Sequence, residues 1–398
     1  MAVTKMVEIL TANPNIKELY LNEYDMDKEV AVILGNGLCN SSIKDLHMDG
    51  RKLHTSNPIG SIAEGGMECI ARCLLSRPDC LIEEIHLHDN HISVEGGLCL
   101  MEELSENKSL KVLDLYGAVS PFGVEWVMSS DGWETFFDLL GQIHSPLHTL
   151  NLGDNTIGDD QVDCLVEALN SMGSLKNLNL EDTRISSSGW KTFFQSMQRP
   201  GSVLGRLRKL NLEVWRLSPL KDEGLIALAN CLHGNTSLKR LHFAYIYSGE
   251  KDEVAMATLS KALYDGSSIE SIYNSNHTLS EGIRIKRRRP RLPPGSIVTI
   301  PKSKKADLLQ SLLKLNKGKN NNKVIRQKII RYYYAEDKNL QEITNMDDEV
   351  LPHVLGTIGK TQMDFASGQS AFDLLYKIVL SSPSLFEINE VRKRKRRT

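Results

Sequence analysis

Imidazole and carboxylate groups recur together early in this chain. His47 stands between Asp45 and Asp49, and His86 and His88 follow Glu84. Such groups are zinc ligands. The spacing matches no metal motif, however, and by subtraction 39 residues part His47 from His86. A hydrated polar patch explains the set better, so neither a metal nor another cofactor is expected. Catalytic signatures are equally sparse. The chain has no His-Glu-x-x-His and no Gly-x-Ser-x-Gly elbow. Gly359-Lys360-Thr361 has the ending of a phosphate loop, but Val354 stands where that loop requires Gly. Gly35-Asn36-Gly37 lacks the third glycine of a dinucleotide loop. No nucleophile, base and oxyanion donor come together, and the protein is expected not to be an enzyme.

The same stretches carry a second polar set, and the chemistry it suits is recognition of another protein. Glu18, Tyr20 and Glu23 come first, then Asp45, His47 and Asp49, then Glu84, His86, His88 and Asp89. Asp114 and Tyr116, Asn151 and Asp154, Glu181 and Asp182, and Glu213 follow, and Arg240, His242 and Tyr245 close the series. Carboxylates on neighbouring strands about 4.8 Å apart raise each other's pKa and favour a cationic partner. Glu18, Asp45, Asp49, Glu84, Asp89, Asp114, Asp154, Glu181 and Glu213 are therefore the expected steering residues, with Tyr20, Tyr116 and Tyr245 as anchors. The bland reading is an acidic surface that keeps the protein soluble.

These residues occupy variable positions of a repeating pattern: apolar, two variable, apolar, one variable, apolar. It starts at Ile16, Ile43, Ile82, Leu110, Leu147, Leu175, Leu207, Leu238 and Ile269. By subtraction the intervals are 27, 39, 28, 37, 28, 32, 31 and 31 residues. Alternation in a strand sends the apolar side chains to one face and the variable ones to the other. Asn90 and Asn155 stand where a side chain can bond the turning backbone after the strand. Helical stripes follow: Val162, Leu165, Val166 and Leu169; Trp190, Phe193, Phe194 and Met197; Leu225, Leu228, Ala229 and Leu232. The long intervals predict insertions near 52–59 and 118–145.

One strand plus one helix at about 28 residues resembles the ribonuclease-inhibitor type of leucine-rich repeat. The phrase LANCLHGNTSLKRLHF, Leu228 to Phe243, is very like that family's helix-to-strand joint. The resemblance covers roughly residues 1–280. It implies an α/β leucine-rich-repeat solenoid, a horseshoe whose concave side is lined by the variable strand residues. It also implies a binding surface rather than an activity. Some relatives of this type are GTPase activators, so regulation of a small GTPase is the alternative function.

Composition divides the chain further. Residues 1–280 hold 23 Lys+Arg against 38 Asp+Glu, and residues 281–398 hold 25 against 12, for the overall net charge of −2. Residues 281–304 read as a basic, Pro-containing linker, 305–390 as a small helical region, and 391–398 as a polybasic tail. Arg287, Pro290 and Pro293 also fit a short polyproline-ligand pattern. The phrases VLPHVLGTIG and AFDLLYKIVLSSPSLFE are similar to the C-terminal extension of algal repeat proteins of this type. The basic runs at 286–289 and 392–397 suit an import signal, an anionic contact, or a fold-back of the tail onto the acidic face. Little aromatic interleaving argues against nucleic acid. Seven unpatterned cysteines and the lack of an apolar leader or of roughly 18 consecutive apolar residues suggest a cytoplasmic or nuclear, unsecreted protein without a membrane span.

Overall fold

The computed structural model describes residues 2–287 except 23, 25, 51–61, 63–64, 78, 120–127, 214–219, 221, 248–252 and 268, and further on 312–314, 316–317, 321, 324–325 and 328. Nine strands form one parallel sheet in sequence order: β1 (Glu18–Tyr20), β2 (Asp45–His47), β3 (Glu84–His86), β4 (Val112–Asp114), β5 (Thr149–Asn151), β6 (Asn177–Asn179), β7 (Lys209–Asn211), β8 (Arg240–Tyr247) and β9 (Glu281–Arg287). Parallel neighbours need a crossover, and helices supply it. They are α1 (Ala2–Ala12) before β1, then α2 (Lys28–Leu38), α3 (Gly66–Ile70), α4 (Val94–Leu104), α5 (Ser130–Gly141), α6 (Val162–Ser171), α7 (Ser187–Met197), α8 (Asp222–Leu232), and α9 (Glu253–Leu263) with α10 (Ile269–Asn274) between β8 and β9. The protein is an α/β repeat solenoid. Among the described residues no helix is long and apolar enough to cross a membrane, and the seven cysteines are all unbridged.

The apolar pattern explains the sheet. The central residues Leu19, Leu46, Ile85, Leu113, Leu150, Leu178, Leu210 and Leu241 pair in register and are buried. Their strand neighbours face the other way. Helix starts are fixed by side-chain caps: Asp27 accepts from Val30 N at 2.8 Å, Ser93 from Gly96 N at 3.0 Å and Ser129 from Gly132 N at 3.1 Å. Asn90 donates to Met48 O and to His88 O, and Asn155 donates to Leu115 O, Leu152 O and Gly153 O, as the turn positions require.

Three expectations need correction. The ninth strand does not start at Ile269, which opens α10; it is β9, led by Leu279. Asn276 fixes that start by accepting from Thr278 N at 3.1 Å and Leu279 N at 2.8 Å. Asn107 does the same for Ser109 and Leu110, and Asn235 for Ser237 and Leu238. Gly282 follows because its φ is +108° and a Cβ there would lie 2.3 Å from Leu241 O. Secondly, 281–287, read as linker, is this strand, so the array does not end at residue 280. Thirdly, the stretch 118–145 is not wholly an insertion. It contains α5, whose Trp133, Phe136 and Phe137 reproduce the buried arrangement of Trp190, Phe193 and Phe194 in α7.

Beyond β9 the chain continues to pack on the array. Leu312, Leu313 and Val324 are buried, and Asn316 donates to Asn276 O and Leu279 O. The insertion at 52–59, most of the helical region expected at 305–390, Pro290 and Pro293, and the tail lie outside the described residues.

Candidate functional site

The strand face is built of registered rows on either side of the buried leucine row. The first row runs Glu18, Asp45, Glu84, Val112, Thr149, Asn177, Lys209, Arg240. The second runs Tyr20, His47, His86, Asp114, Asn151, Asn179, Asn211, His242. Register thus brings Glu18, Asp45 and Glu84 side by side, with an aromatic column beside them. The rings of Tyr20 and His47 stack at 4.2 Å and 14°, and those of His47 and His86 at 4.2 Å and 7°. Tyr20 is 59% exposed and donates to Glu18 at 3.1 Å, so its ring ends the column in solvent.

Charge around this column is uneven. Burial, then Glu84 and Glu18, push the Asp45 carboxyl above its usual range. The hydrogen bond to Glu18 raises the Tyr20 phenol. Burial and then the neighbouring His86 lower His47. His86 is raised, first by its interaction with Asp114 and against its own burial. Its Nδ1 lies 3.7 Å from Asp114 Oδ2, and its Nε2 lies 3.5 Å from Glu84 Oε2, close enough for charge attraction without hydrogen-bond geometry. Burial opposes ionisation of Asp114, yet His86 and His88 together hold it below the usual range. His88 Nε2 is 3.5 Å from Asp114 Oδ1, and its ring meets Tyr116 at 4.6 Å. Among the described residues no group of three ligand side chains is placed to hold a metal ion. Changing Asp114 to Asn is expected to lower the His86 titration midpoint by about one pH unit, read by NMR; an unmoved His86 beside a moved His47 would refute this pairing.

The other expected site residues divide. Asp49 joins the first cluster and accepts from His88 N at 3.0 Å. Asp89, Asp154 and Asp182 lie one turn beyond, at φ 54°, 52° and 50°, in one row with Gly117 at 57°. Aspartate is among the few side chains that tolerate this left-handed backbone, so these acids form the turn, and Asp154 is buried. Glu181 accepts from Asn211 Nδ2 at 2.8 Å, and Glu213 N donates to Asn211 Oδ1 at 3.1 Å. Tyr116 is half-buried among Asp154, Glu181, Asp182 and Asp89; burial first, then these charges, raise its phenol strongly. Tyr245 lies on β8 opposite Ile285, and its side chain is outside the described residues.

One row was not anticipated. The residue just before each of β1 to β8 is Lys17, Lys44, Glu83, Lys111, His148, Lys176, Arg208 and Lys239. Backbone bonds such as Lys44 N to Lys17 O and Arg208 N to Lys176 O, both 2.7 Å, join them. Glu83 is its one acid, and both Lys44 and Lys111 bind it. Its signal in the sequence is a basic residue after the first apolar position of most units.

The fold and this face define an α/β repeat solenoid with a charged, aromatic-bearing sheet surface. No protein-family model matches the chain, and no curated protein matches it. Among solved structures it is similar to a chain in the yeast Rad7 and Elc1 complex, with 17% identity over 74% of this chain and 77% of that one and a TM-score of 0.36. A likeness at that level carries no argument about activity or partner.

Proposed function

We propose that the protein is a non-catalytic interaction scaffold of the ribonuclease-inhibitor type, and that the β1–β4 sector of its strand face binds a basic segment of a protein partner. The observation that carries this reading is the registered triad Glu18, Asp45 and Glu84 beside the Tyr20–His47–His86 column. Three crowded carboxylates attract guanidinium and ammonium groups, and an exposed ring stack offers them a face. The full helices between most strands support the repeat type. The protein's own 392–397 run is a second basic segment that competes for the same acids.

Measuring binding of a fluorescent hexa-arginine peptide to the full chain tests this. Converting Glu18 and Glu84 to Gln and Asp45 to Asn is expected to weaken binding about tenfold and to flatten its salt dependence. Removal of 391–398 is expected to strengthen binding at low salt. Unchanged affinity in the triple variant would sink the assignment.

A further inference from the structure

The opposite end of the same face has the opposite sign. Lys176, Arg208 and Lys239 precede β6, β7 and β8, and Lys209 and Arg240 follow two of them in the adjoining row. Lys176, Arg208, Lys239 and Arg240 are exposed and Lys209 is half-buried. Consecutive strands lie about 4.8 Å apart, so five cations share three strands. Among the described residues none of the five has an ion pair.

The contrast lies within the same row. Near the start of the array Lys44 and Lys111 share Glu83. No acid occupies that role between Lys176 and Lys239. Glu281, in register with Arg240, is 3.7 Å from Lys317 Nζ. Glu181 and Glu213 stand at the far ends of β6 and β7, each five positions along from Lys176 or Arg208. That separation is roughly 16 Å at strand rise. It exceeds the Debye length of about 10 Å at 0.1 M salt, so these acids do little to neutralise Lys176, Arg208 and Lys239, while Glu181, bonded to Asn211, stands nearer to Lys209.

We infer that this β6–β8 sector is a second docking surface, and that it takes an extended acidic peptide segment of a protein partner. Unrelieved repulsion among five cations is what a run of carboxylates removes. In the neighbouring row Asn211 is bonded to Glu181 and Glu213 and Asn179 accepts from Glu181 N, which leaves the Asn179 amide nitrogen to donate to a peptide carbonyl. β6 and β7 carry no Phe, Tyr or Trp and Phe243 of β8 is buried, whereas single-stranded nucleic acid requires exposed stacking platforms. The long Lys and Arg stems absorb the difference between strand spacing and the side-chain spacing of an extended ligand. This inference does not depend on the acidic sector.

The test uses the full chain with a fluorescent octaglutamate peptide and, in parallel, a labelled oligothymidylate of twelve nucleotides, at low salt. A variant with Lys176, Arg208 and Lys239 all changed to Gln is expected to bind octaglutamate about tenfold more weakly, with an unchanged circular dichroism spectrum. The variant carrying E18Q, D45N and E84Q should bind it at least as well as the parent. An unaffected affinity in the cation variant would place binding on the basic tail and overturn the proposal. So would failure of the parent to bind octaglutamate, or oligothymidylate bound more tightly and lost with the same three cations. Loss of hexa-arginine binding is read from the acid variant alone, so failure of either sector is distinguishable.

Discussion

Replacing Phe193 with alanine is expected to destabilise the middle of the array by about 3–5 kcal/mol, the range for emptying a buried aromatic site. Phe193 is fully buried. Its ring meets Trp190 edge-on at 5.4 Å and Phe194 at 6.0 Å. The site cannot collapse easily, because these neighbours are themselves fully buried and lie on one helix packed between α6 and α8. An array is held by each unit and by its interface with the next. The loss therefore weakens the coupling between the β1–β5 and β8–β9 ends as well as one unit. Urea unfolding followed through tryptophan fluorescence should show a lower midpoint and a broader or divided transition. A loss below about 1 kcal/mol would show that the interfaces carry little of the stability.

The second large effect concerns Lys328. This side chain is fully buried. Its Nζ donates to Leu263 O at 2.5 Å and Asn276 O at 2.7 Å and meets His277 Nδ1 at 3.0 Å. Burial pushes its pKa from 10.5 down to about 7. No carboxylate is among these partners. A neutral amine keeps two donors for the two carbonyls and turns its lone pair to His277, whose Nδ1 then donates. The sign follows from proton binding. Between about pH 7 and 10.5 the unfolded lysine holds a proton that the folded one has released, so folding becomes more favourable as pH rises through that window. Below about pH 7 both forms are charged and the full cost of burying the ammonium is present. The gain across the window is on the order of a few kcal/mol. Melting of the parent and of Lys328→Met should be compared from pH 7 to pH 10. The parent is expected to gain stability on the variant as pH rises; parallel curves would refute the buried-amine assignment.

The strands were legible in sequence because their signal is local. Eight starts follow from the apolar pattern, and the register of Glu18 with Asp45 then follows from counting. The ninth escaped because Ile269, Ile272 and Asn274 imitate the pattern while forming a helix turn. The better marker is the joint Asn276-His277-Thr278-Leu279, which repeats Asn107-Lys108-Ser109-Leu110 and Asn235-Thr236-Ser237-Leu238. The site was only half legible. Alternation tells which side of the sheet a residue takes, not whether its carboxylate projects to a partner or closes a turn. Asp154 and Asp89 needed their backbone angles to be recognised as turn residues. The Tyr20–His47–His86 column required neighbouring units to be in register across the 39-residue interval, which the pattern alone does not guarantee. Lys328 was invisible, because a lone lysine in a helical stretch reads as solvated until its acceptors are in place.

Among the described residues the strand order places β1 at one edge of the sheet. An uncovered parallel edge is a template on which another chain can add, end to end. β1 offers only three residues, and charged Glu18 and exposed Tyr20 flank its single buried leucine. Growth into a filament from this edge is therefore discouraged by its brevity and its charge.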